Sequence, residues 1–233
     1  MNETTLIELK NVHKRYPMGS VIVHALQGID LKVNRGDFLV VSGPSGSGKS
    51  TLMNIIGLLD RPDEGAYLLN GQDVSGLDDD ERSEVRNRTI GFIFQNFNLL
   101  ARSTALRNVM LPLTYRQMKE GSRHEAAEIA LEKVGLGGRK QHVPTQLSGG
   151  EQQRVAVARA LVGNPSVVLA DEPTGNLDTK TGQEIVELLL ELSNQGHTVI
   201  MVTHDPRLLD YADRIVRMLD GMIEGESTNN GRK

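Results

Sequence analysis

The chain has 233 residues, enough for one large domain or for one domain with a subdomain. Its hydrophobic and charged fractions, 38% and 24%, are ordinary, and a formal net charge of −4 gives no electrostatic reason to expect nucleic-acid binding. The lack of cysteine excludes disulfides, thiolate catalysis and cysteine-ligated metals. No apolar run approaches the roughly 18–20 residues that span a bilayer, and the N-terminus lacks the regions of a signal peptide. These features predict a soluble, cytoplasmic chain.

Short β-prone segments at residues 6–9, 21–26 and 29–33 predict a small antiparallel sheet near the N-terminus. Tyr16 lies in the connection after the first segment, where its ring could stack on an adenine, because a π-face tolerates any base. The alternative interpretation of Tyr16 is a partly buried packing residue.

A glycine-rich loop follows and fits the pattern G-x-x-x-x-G-K-[ST]. Its residues are Gly43, Pro44, Ser45, Gly46, Ser47, Gly48, Lys49, Ser50 and Thr51. A strand candidate precedes it at residues 38–41 and a helix candidate follows at residues 52–57, the context that the pattern requires. Backbone N–H groups of such a loop hold phosphates, the lysine reaches the β- and γ-phosphates, and the Ser50 hydroxyl ligates Mg²⁺. The loop therefore predicts a nucleoside triphosphate site.

Two later strand candidates end in single polar residues, at the position where α/β sheets bind ligands. The strand at residues 89–95 ends in Gln95, whose amide oxygen suits Mg²⁺ or an attacking water. The strand at residues 198–203 is followed by His204, which can hydrogen-bond a γ-phosphate. A structural role is the alternative for each residue taken alone.

A third strand candidate, at residues 167–172, ends in two carboxylates. Asp171 suits a Mg²⁺ shell, and Glu172 suits a general base that orients or deprotonates water. Burying two carboxylates for structure alone would be costly, which favours a functional interpretation. A loop that carries its own acid, Asp178, follows this strand.

The middle of the chain has a different character. Helical stretches at residues 107–111, 115–118 and 124–134 predict a helical subdomain inserted in the α/β core. The sequence Leu-Ser-Gly-Gly-Glu at residues 147–151 then precedes an alanine-rich helix, with Ser148 as the N-cap candidate. Two consecutive glycines weaken a helix start by ~1 kcal/mol each unless close approach is needed, which favours a second anion site over a plain capped helix.

In this order the motifs resemble those of the nucleotide-binding domain of an ABC transporter, over essentially residues 5–225. They are the aromatic loop at Tyr16, the Walker A loop at residues 43–51, the Q-loop Gln95, the signature at residues 147–151, the Walker B carboxylates Asp171 and Glu172, the D-loop Asp178 and the switch His204. One departure is Glu151, where the family more often has Gln.

The resemblance implies an α/β fold. Its P-loop NTPase (RecA-like) core has a mainly parallel sheet, an N-terminal antiparallel β subdomain and an inserted α-helical subdomain. We expect one ABC ATPase domain over residues 1–225, with the core at residues 1–95 and 160–225 and the helical signature subdomain at residues 96–159. A polar tail at residues 226–233 is expected to be disordered.

Several segments, at residues 92–95, 169–178 and 202–206, are most similar to the macrolide-exporter and lipoprotein-release ATPases, the MacB and LolD group. The resemblance implies a separate integral membrane permease as partner. It also implies a cytoplasmic ATPase, peripheral on the inner face of the inner membrane, with no nucleic-acid partner.

Two anion sites on one chain predict an ATP-dependent, head-to-tail homodimer with two-fold symmetry. ATP would lie between the Walker A loop of one subunit and the signature of the other. The residues expected to act in trans are Ser148, Gly149, Gly150, Glu151 and Asp178. The expected catalytic residues are Lys49, Glu172 and His204, the expected base-stacking residue is Tyr16, and the expected Mg²⁺ ligands are Ser50, Gln95 and Asp171.

A soluble ABC ATPase that acts on nucleoprotein complexes is the alternative. Chromosome-type members separate their two halves by a long coiled coil, yet Lys49 and Ser148 are too close in sequence for one. Translation-type members carry two cassettes per chain, and this chain has one set of motifs. A non-hydrolysing regulatory subunit is disfavoured because Glu172 and His204 are both present.

Overall fold

The computed structural model describes residues 5–229 as ten strands, six α-helices and four short 3₁₀ turns. The strands are β1 (Thr5–Met18), β2 (Val21–Asn34), β3 (Phe38–Ser42), β4 (Glu64–Leu69), β5 (Gln72–Asp73), β6 (Ile90–Phe94), β7 (Val167–Asp171), β8 (Thr198–Val202), β9 (Arg214–Leu219) and β10 (Met222–Thr228). The helices are α1 (Lys49–Ile56), α2 (Asp79–Thr89), α3 (Ala105–Met110), α4 (Glu120–Lys133), α5 (Gly149–Leu161) and α6 (Thr179–Asn194). The 3₁₀ turns are Leu111–Tyr115, Gly137–Arg139, Pro144–Gln146 and Pro206–Tyr211.

The main sheet has six strands in the order β10-β9-β3-β8-β7-β6. The five strands from β9 to β6 pair in parallel, and β10 pairs antiparallel with β9 at the edge. Because β3, β8, β7 and β6 are parallel neighbours, the loops after their carboxyl ends lie along one edge of the sheet. This arrangement confirms the predicted parallel α/β core.

The second sheet is antiparallel, with the order β2-β1-β4-β5. The predicted short N-terminal strands are two strands of 14 residues each, β1 and β2, joined at Gly19 and Ser20. Several bulges interrupt their register, as long twisted hairpins commonly require. The predicted antiparallel sheet is present, but its hairpin is longer than the separate segments suggested.

Two hydrophobic cores lie on the two faces of the main sheet. Along β3, Phe38 and Val40 pack into the core shared with α3–α6, whereas Leu39 and Val41 pack into the core shared with α1 and the antiparallel sheet. Strands β7 and β8 alternate in the same way. Such a fully apolar strand is buried on both faces, which explains why these strands show no polar alternation in the sequence.

Helices α3, α4 and α5 pack on one another, and α5 also packs on β6. The helix α5 continues to Leu161, two residues beyond the predicted boundary at residue 159. The predicted helical stretch at residues 115–118 is wrong after Tyr115, because the 3₁₀ turn ends there and the chain bends.

The predicted disordered tail is wrong for residues 226–228. These residues belong to β10, which pairs with β9, and the Asn229 backbone N–H donates to the Asp213 carbonyl at 2.7 Å. Pairing with a neighbouring strand overrides the polar composition of this segment. The rest of the predicted tail, residues 230–233, lies outside the described residues.

Candidate functional site

The polar residues predicted at strand ends lie on one edge of the main sheet. In the strand register, Phe94 stands opposite Asp171, and Asp171 stands opposite Val202. Val202 in turn pairs with Val41, which leads into the glycine loop. Gln95, Glu172 and the residues after Val202 therefore follow three adjacent strands, beside the loop of the fourth.

The glycine loop is held between the β1–β2 hairpin and the β9–β10 hairpin. Gly43 has φ 150°, and a Cβ there would lie 2.2 Å from the Met218 carbonyl oxygen in β9. Gly48, the N-cap of α1, has φ 97°, and a Cβ there would lie 2.5 Å from the Ala25 carbonyl oxygen in β2. The Gly221 backbone N–H donates to the Ser47 carbonyl at 3.1 Å. Only glycine fits both loop positions.

Lys49 lies within the curl of this loop. Its ammonium donates to the carbonyl oxygens of Gly43 at 2.8 Å and Pro44 at 2.7 Å, and its side chain is buried. The loop thus carries a cation at its centre, close enough to Asp171 to offset part of the rise that burial causes in the pKa of that carboxyl. A phosphate chain in the loop would meet this charge together with the start of α1.

Asp171 and Glu172 occupy different environments at the end of β7. Burial and the neighbouring Glu172 carboxylate raise the pKa of Asp171, and Lys49 only partly offsets them. Glu172 has φ 44°, a left-handed conformation that turns the chain out of the strand. Two adjacent carboxylates in a half-buried site repel each other. A bound cation would therefore stabilise the ionised form of Asp171.

The Glu172 carboxylate is fixed by the residues that follow β8. Its Oε1 accepts from the His204 backbone N–H at 3.0 Å and lies 2.6 Å from His204 Nδ1, and its Oε2 accepts from the Thr203 hydroxyl at 3.2 Å. The structure therefore joins two of the three predicted catalytic residues, Glu172 and His204, in one hydrogen-bonded pair.

The predicted metal ligands are all oxygen donors, as Mg²⁺ requires. Asp171 supplies a carboxylate that forms no ion pair with a cationic side chain in the described part of the chain, and Gln95 lies at the next strand end. Ser50 is in the first turn of α1. Within residues 5–229 no three His, Cys, Asp or Glu residues cluster as a metal cage, which fits an ion that takes its other ligands from phosphates and water.

Tyr16 lies in β1 rather than in the predicted connection. The strand continues to Met18 because its register with β2 persists through Pro17 and Met18. The Tyr16 ring is half-buried, and its hydroxyl donates to Asp60 Oδ2 at 2.7 Å. The long hairpin carries Tyr16 to the loop that follows α1.

The second glycine-rich helix start is capped as predicted. Ser148 is the N-cap of α5; its Oγ accepts from the Glu151 backbone N–H at 3.3 Å, and Glu151 Oε2 accepts from the Ser148 N–H at 2.8 Å. A Cβ at Gly150 would lie 2.4 Å from Thr181 Cγ2. The Glu151 that departs from the family pattern thus completes a capping box, a role that Gln also fills.

The structure does not bring this helix start to the glycine loop of the same chain. Within the described part of the chain, no hydrogen bond or ion pair joins residues 148–151 to residues 43–51. The strands next to the two motifs, β6 and β3, stand three positions apart in the sheet, about 14 Å. Asp178, the other residue predicted to act in trans, is the N-cap of α6 and accepts from the Thr181 N–H at 3.1 Å.

Two sets of hydrogen bonds near Gln95 were not predicted from the sequence. Asn176 donates to the Gln95 carbonyl at 3.0 Å and to Asn96 Oδ1 at 2.8 Å. Arg159 donates to the carbonyls of Phe97 at 2.7 Å and Asn98 at 2.5 Å. These bonds tie the segment after Gln95 to the loop after β7 and to the α5 helix. The sequence carried no signal for either, because the partners are far apart along the chain.

A groove of about 1160 Å³ opens beside this segment. Its apolar lining includes Leu59, Phe92, Phe94, Leu111, Pro112 and Tyr115. Four guanidinium groups also line it, those of Arg86, Arg88, Arg116 and Arg159. Of these, only Arg88 forms an ion pair with a carboxylate among the described residues, and burial lowers the pKa of the other three.

The fold and the strand-end site define a P-loop nucleoside triphosphatase. A family model described as ABC transporter matches residues 26–175. An ABC transporter ATP-binding protein of Thermotoga maritima is 52% identical to this chain, with 94% of each chain covered. The chain therefore belongs to the ABC transporter family, as an ATP-binding cassette with ATPase activity.

Two further comparisons agree with this assignment. The macrolide export ATP-binding/permease protein MacB of Bdellovibrio bacteriovorus is 51% identical over 95% of this chain, which spans only 34% of that protein's length. A dimeric cassette, MJ0796, solved in a post-hydrolysis state bound to ADP and Pi, superposes with a TM-score of 0.89 at 46% identity, with 97% of this chain and 100% of that chain covered. These findings confirm the resemblance on which the sequence analysis relied.

Proposed function

We propose that this cassette hydrolyses ATP to drive a separate membrane permease, in a MacB- or LolD-like export or lipoprotein-extraction system, at the cytoplasmic face of the inner membrane. The observation that carries the ATPase part is the fixed Glu172 carboxylate beside the glycine loop. None of the helices in residues 5–229 is long and apolar enough to cross a bilayer.

In the proposed mode of ATP binding, the loop N–H groups, α1 and Lys49 hold the phosphates, and the Tyr16 ring stacks on the base. Ser50, Gln95 and Asp171 hold Mg²⁺, which when bound would neutralise phosphate charge. The raised pKa of Asp171 supports this assignment, because burial beside another carboxylate is relieved by a cation.

In the proposed hydrolysis step, Glu172 orients water and accepts its proton as the water oxygen bonds to the γ-phosphorus. The bond from the γ-phosphorus to the β,γ-bridging oxygen breaks, and ADP and inorganic phosphate are released. Thr203 and His204 hold both carboxylate oxygens in place, so the general base is pre-positioned. His204 contacts Glu172 through Nδ1, and Nε2 on the other side of the ring is the atom that would hydrogen-bond a γ-phosphate oxygen. The developing negative charge would then lie between Lys49 and His204.

We propose that the active form is a head-to-tail homodimer with two bound ATP molecules. Each ATP would lie between the glycine loop of one subunit and Ser148, Gly149 and Gly150 of the other, with Glu151 and Asp178 nearby. The separation of the two motifs within one chain supports this arrangement, as does the dimeric MJ0796 structure. Hydrolysis removes the charge that joins the subunits, and the dimer opens.

The test is the substitution Glu172→Gln, which removes the base and retains the shape of the side chain. With Mg-ATP we expect a stable dimer on size exclusion, and we expect turnover to fall about 100-fold or more, as for loss of a general base. Glu187→Gln, on the exposed face of α6, is the matched control and should hydrolyse ATP at the wild-type rate. A Glu172→Gln protein that stays monomeric, or that turns over normally, would refute this mechanism.

We propose that the permease docks in the arginine-lined groove. The groove includes Asn98, Leu111 and Pro112 from the part of the chain that follows Gln95, and it extends to α2. Within residues 5–229, Arg86, Arg116 and Arg159 donate to backbone carbonyls and have no carboxylate partner. A short helix that carries acidic residues is therefore complementary to the groove in shape and charge.

Leu100 and Arg107 test the coupling directly, because both are exposed next to the Gln95 segment. Leu100→Ala or Arg107→Ala should lower permease-stimulated hydrolysis severalfold and leave basal turnover within about twofold of wild type. The measurement compares ATPase rates with and without the reconstituted permease. An equal fall in basal turnover would show that these residues are structural.

The partner class is tested by site-specific crosslinking in native membranes. Since the chain has no cysteine, Leu100→Cys supplies a unique attachment site, and Leu219→Cys, exposed at the end of β9, is the matched control. We expect Leu100→Cys to capture a multi-helix membrane protein that the control does not. Capture of a nucleoprotein instead would favour the alternative class of soluble ABC ATPases.

A further inference from the structure

The hydroxyl group of Tyr16 is held by the loop that follows α1. Its O–H donates to Asp60 Oδ2 at 2.7 Å. Asp60 lies four residues beyond the end of α1, the helix that starts at the phosphate site. The phenol group is thus anchored to the loop that leaves this helix.

Asp60 is itself anchored by its other oxygen. Oδ1 accepts from the Lys14 ammonium at 2.8 Å and from the Arg61 backbone N–H at 2.7 Å. Lys14 is only 8% exposed, and it also donates to the Arg61 carbonyl at 2.9 Å and to Asp63 Oδ1 at 3.4 Å. The carboxylate of Asp60 therefore has little freedom to turn away from Tyr16.

The same lysine lies over the Tyr16 ring, with its ammonium 5.3 Å from the ring centroid. A cation over one side of the ring leaves the opposite side for a stacked base. Without these contacts, a tyrosine two residues from the exposed end of a hairpin would have free rotamers.

We propose that Asp60 is a positioning residue for nucleotide binding: it fixes the Tyr16 ring relative to α1, so that the base and the triphosphate are held at a set spacing. This proposal rests on the proposed stacking role of Tyr16. Burial and the Asp60 hydrogen bond raise the pKa of Tyr16 to about 12, which supports a strong hydroxyl–carboxylate contact.

The test is Asp60→Asn, which keeps the shape of the side chain and weakens a charge-assisted hydrogen bond to a neutral one. We expect the KM for ATP to rise about fivefold, with kcat within about twofold of wild type. The inhibition constant of inorganic tripolyphosphate, which has no base, should not change. The matched control is Asp63→Asn, which removes a Lys14 partner that does not contact Tyr16; its KM for ATP should stay at the wild-type value.

A double-mutant cycle completes the test. In a Tyr16→Ala background, Asp60→Asn should have no further effect on KM, because the ring that it positions is gone. An equal loss of tripolyphosphate binding, or an undiminished Asp60→Asn effect in that background, would show that Asp60 only supports the fold.

The cycle also distinguishes the positioning role of Asp60 from the stacking role of Tyr16 on which it rests. If Tyr16→Ala raises KM and Asp60→Asn does not, the positioning role fails and the stacking role stands. If Tyr16→Ala leaves KM unchanged, both roles fail. As an independent readout, the tyrosinate absorbance that disappears in Tyr16→Phe should titrate near pH 12 in the wild type and at lower pH in Asp60→Asn.

Discussion

At the scale of single residues, the carboxylate pair at the end of β7 shows a conflict between function and stability. Asp171 is partly buried beside Glu172, and these two causes raise the pKa of Asp171 above its ordinary value. The ionised form is therefore disfavoured in the folded chain without a cation. A group that costs stability is retained at the position where a phosphate-bound metal ion would use it.

We predict that Asp171→Asn stabilises the protein without nucleotide and abolishes Mg-ATP hydrolysis. Because the folded pKa of Asp171 is raised, its favourable contribution is complete below the ordinary pKa of about 3.9 and is lost as pH rises through the folded value. The gain in Tm should thus be absent at acidic pH and reach about 2 °C or more at neutral pH, measured with a chelator present.

Asp178→Asn is the control, because the pKa of Asp178 is shifted in the opposite direction to that of Asp171. Hydrogen bonds from Thr181 lower the pKa of Asp178, and Asn also serves as an N-cap, so its Tm should be unchanged or slightly reduced at neutral pH. A neutral-pH Tm of Asp171→Asn at or below that of the wild type would contradict the prediction.

At the scale of elements, the segment from Gln95 to Thr104 connects the main sheet to the helices and is held in place by hydrogen bonds. Phe97 and Asn98 are consecutive left-handed residues, with φ 57° and 49°, and Arg159 holds the carbonyls of both. Such a conformation persists only where its surroundings fix it. A segment bonded at both ends can transmit a displacement of Gln95 to the groove beside it.

Asn108 holds the C-terminal end of this segment through hydrogen bonds. It is fully buried, accepts from the Leu100 N–H at 2.7 Å, and donates to the carbonyls of Leu100, Ser103 and Thr104. We predict that Asn108→Asp, which removes the donors and keeps the shape, lowers the free energy of unfolding by about 3 kcal/mol in urea titrations.

The exposed Asn176 provides the comparison for Asn108. Asn176→Asp removes donors to Gln95 and Asn96 in a solvated position and should cost less than about 1 kcal/mol. Similar losses of stability for the two variants would mean that burial of Asn108 is not what makes its bonds important.

At the scale of the whole molecule, the sequence predicted the parallel core and the line of strand ends because both depend on local patterns. Each of three apolar strands is followed directly by a polar residue, namely Gln95, Glu172 or His204. A short stretch of sequence is therefore enough to predict that each of these residues lies at the same edge of the sheet. The capping box at Ser148 is also local. Parallel topology then brings these residues together, since strand ends on one edge must be neighbours.

What the sequence did not reveal depends on partners that are distant along the chain. Asp60 as the partner of Tyr16 and Arg159 as the clamp on Phe97 follow from tertiary packing alone. The strand β10 was missed for the same reason, because its polar residues become ordered through pairing with β9. Its order comes from a neighbour rather than from its own composition.

The hairpin of β9 and β10 has a consequence for how the protein is made. Its residues Met218 and Gly221 lie directly against the glycine loop, at Gly43 and Ser47. During translation the loop leaves the ribosome well before the hairpin that supports it, because β9 and β10 follow far along the chain. At roughly 5–20 residues per second, that delay is about ten seconds or more. A nascent chain therefore carries an unsupported glycine loop until this hairpin has emerged.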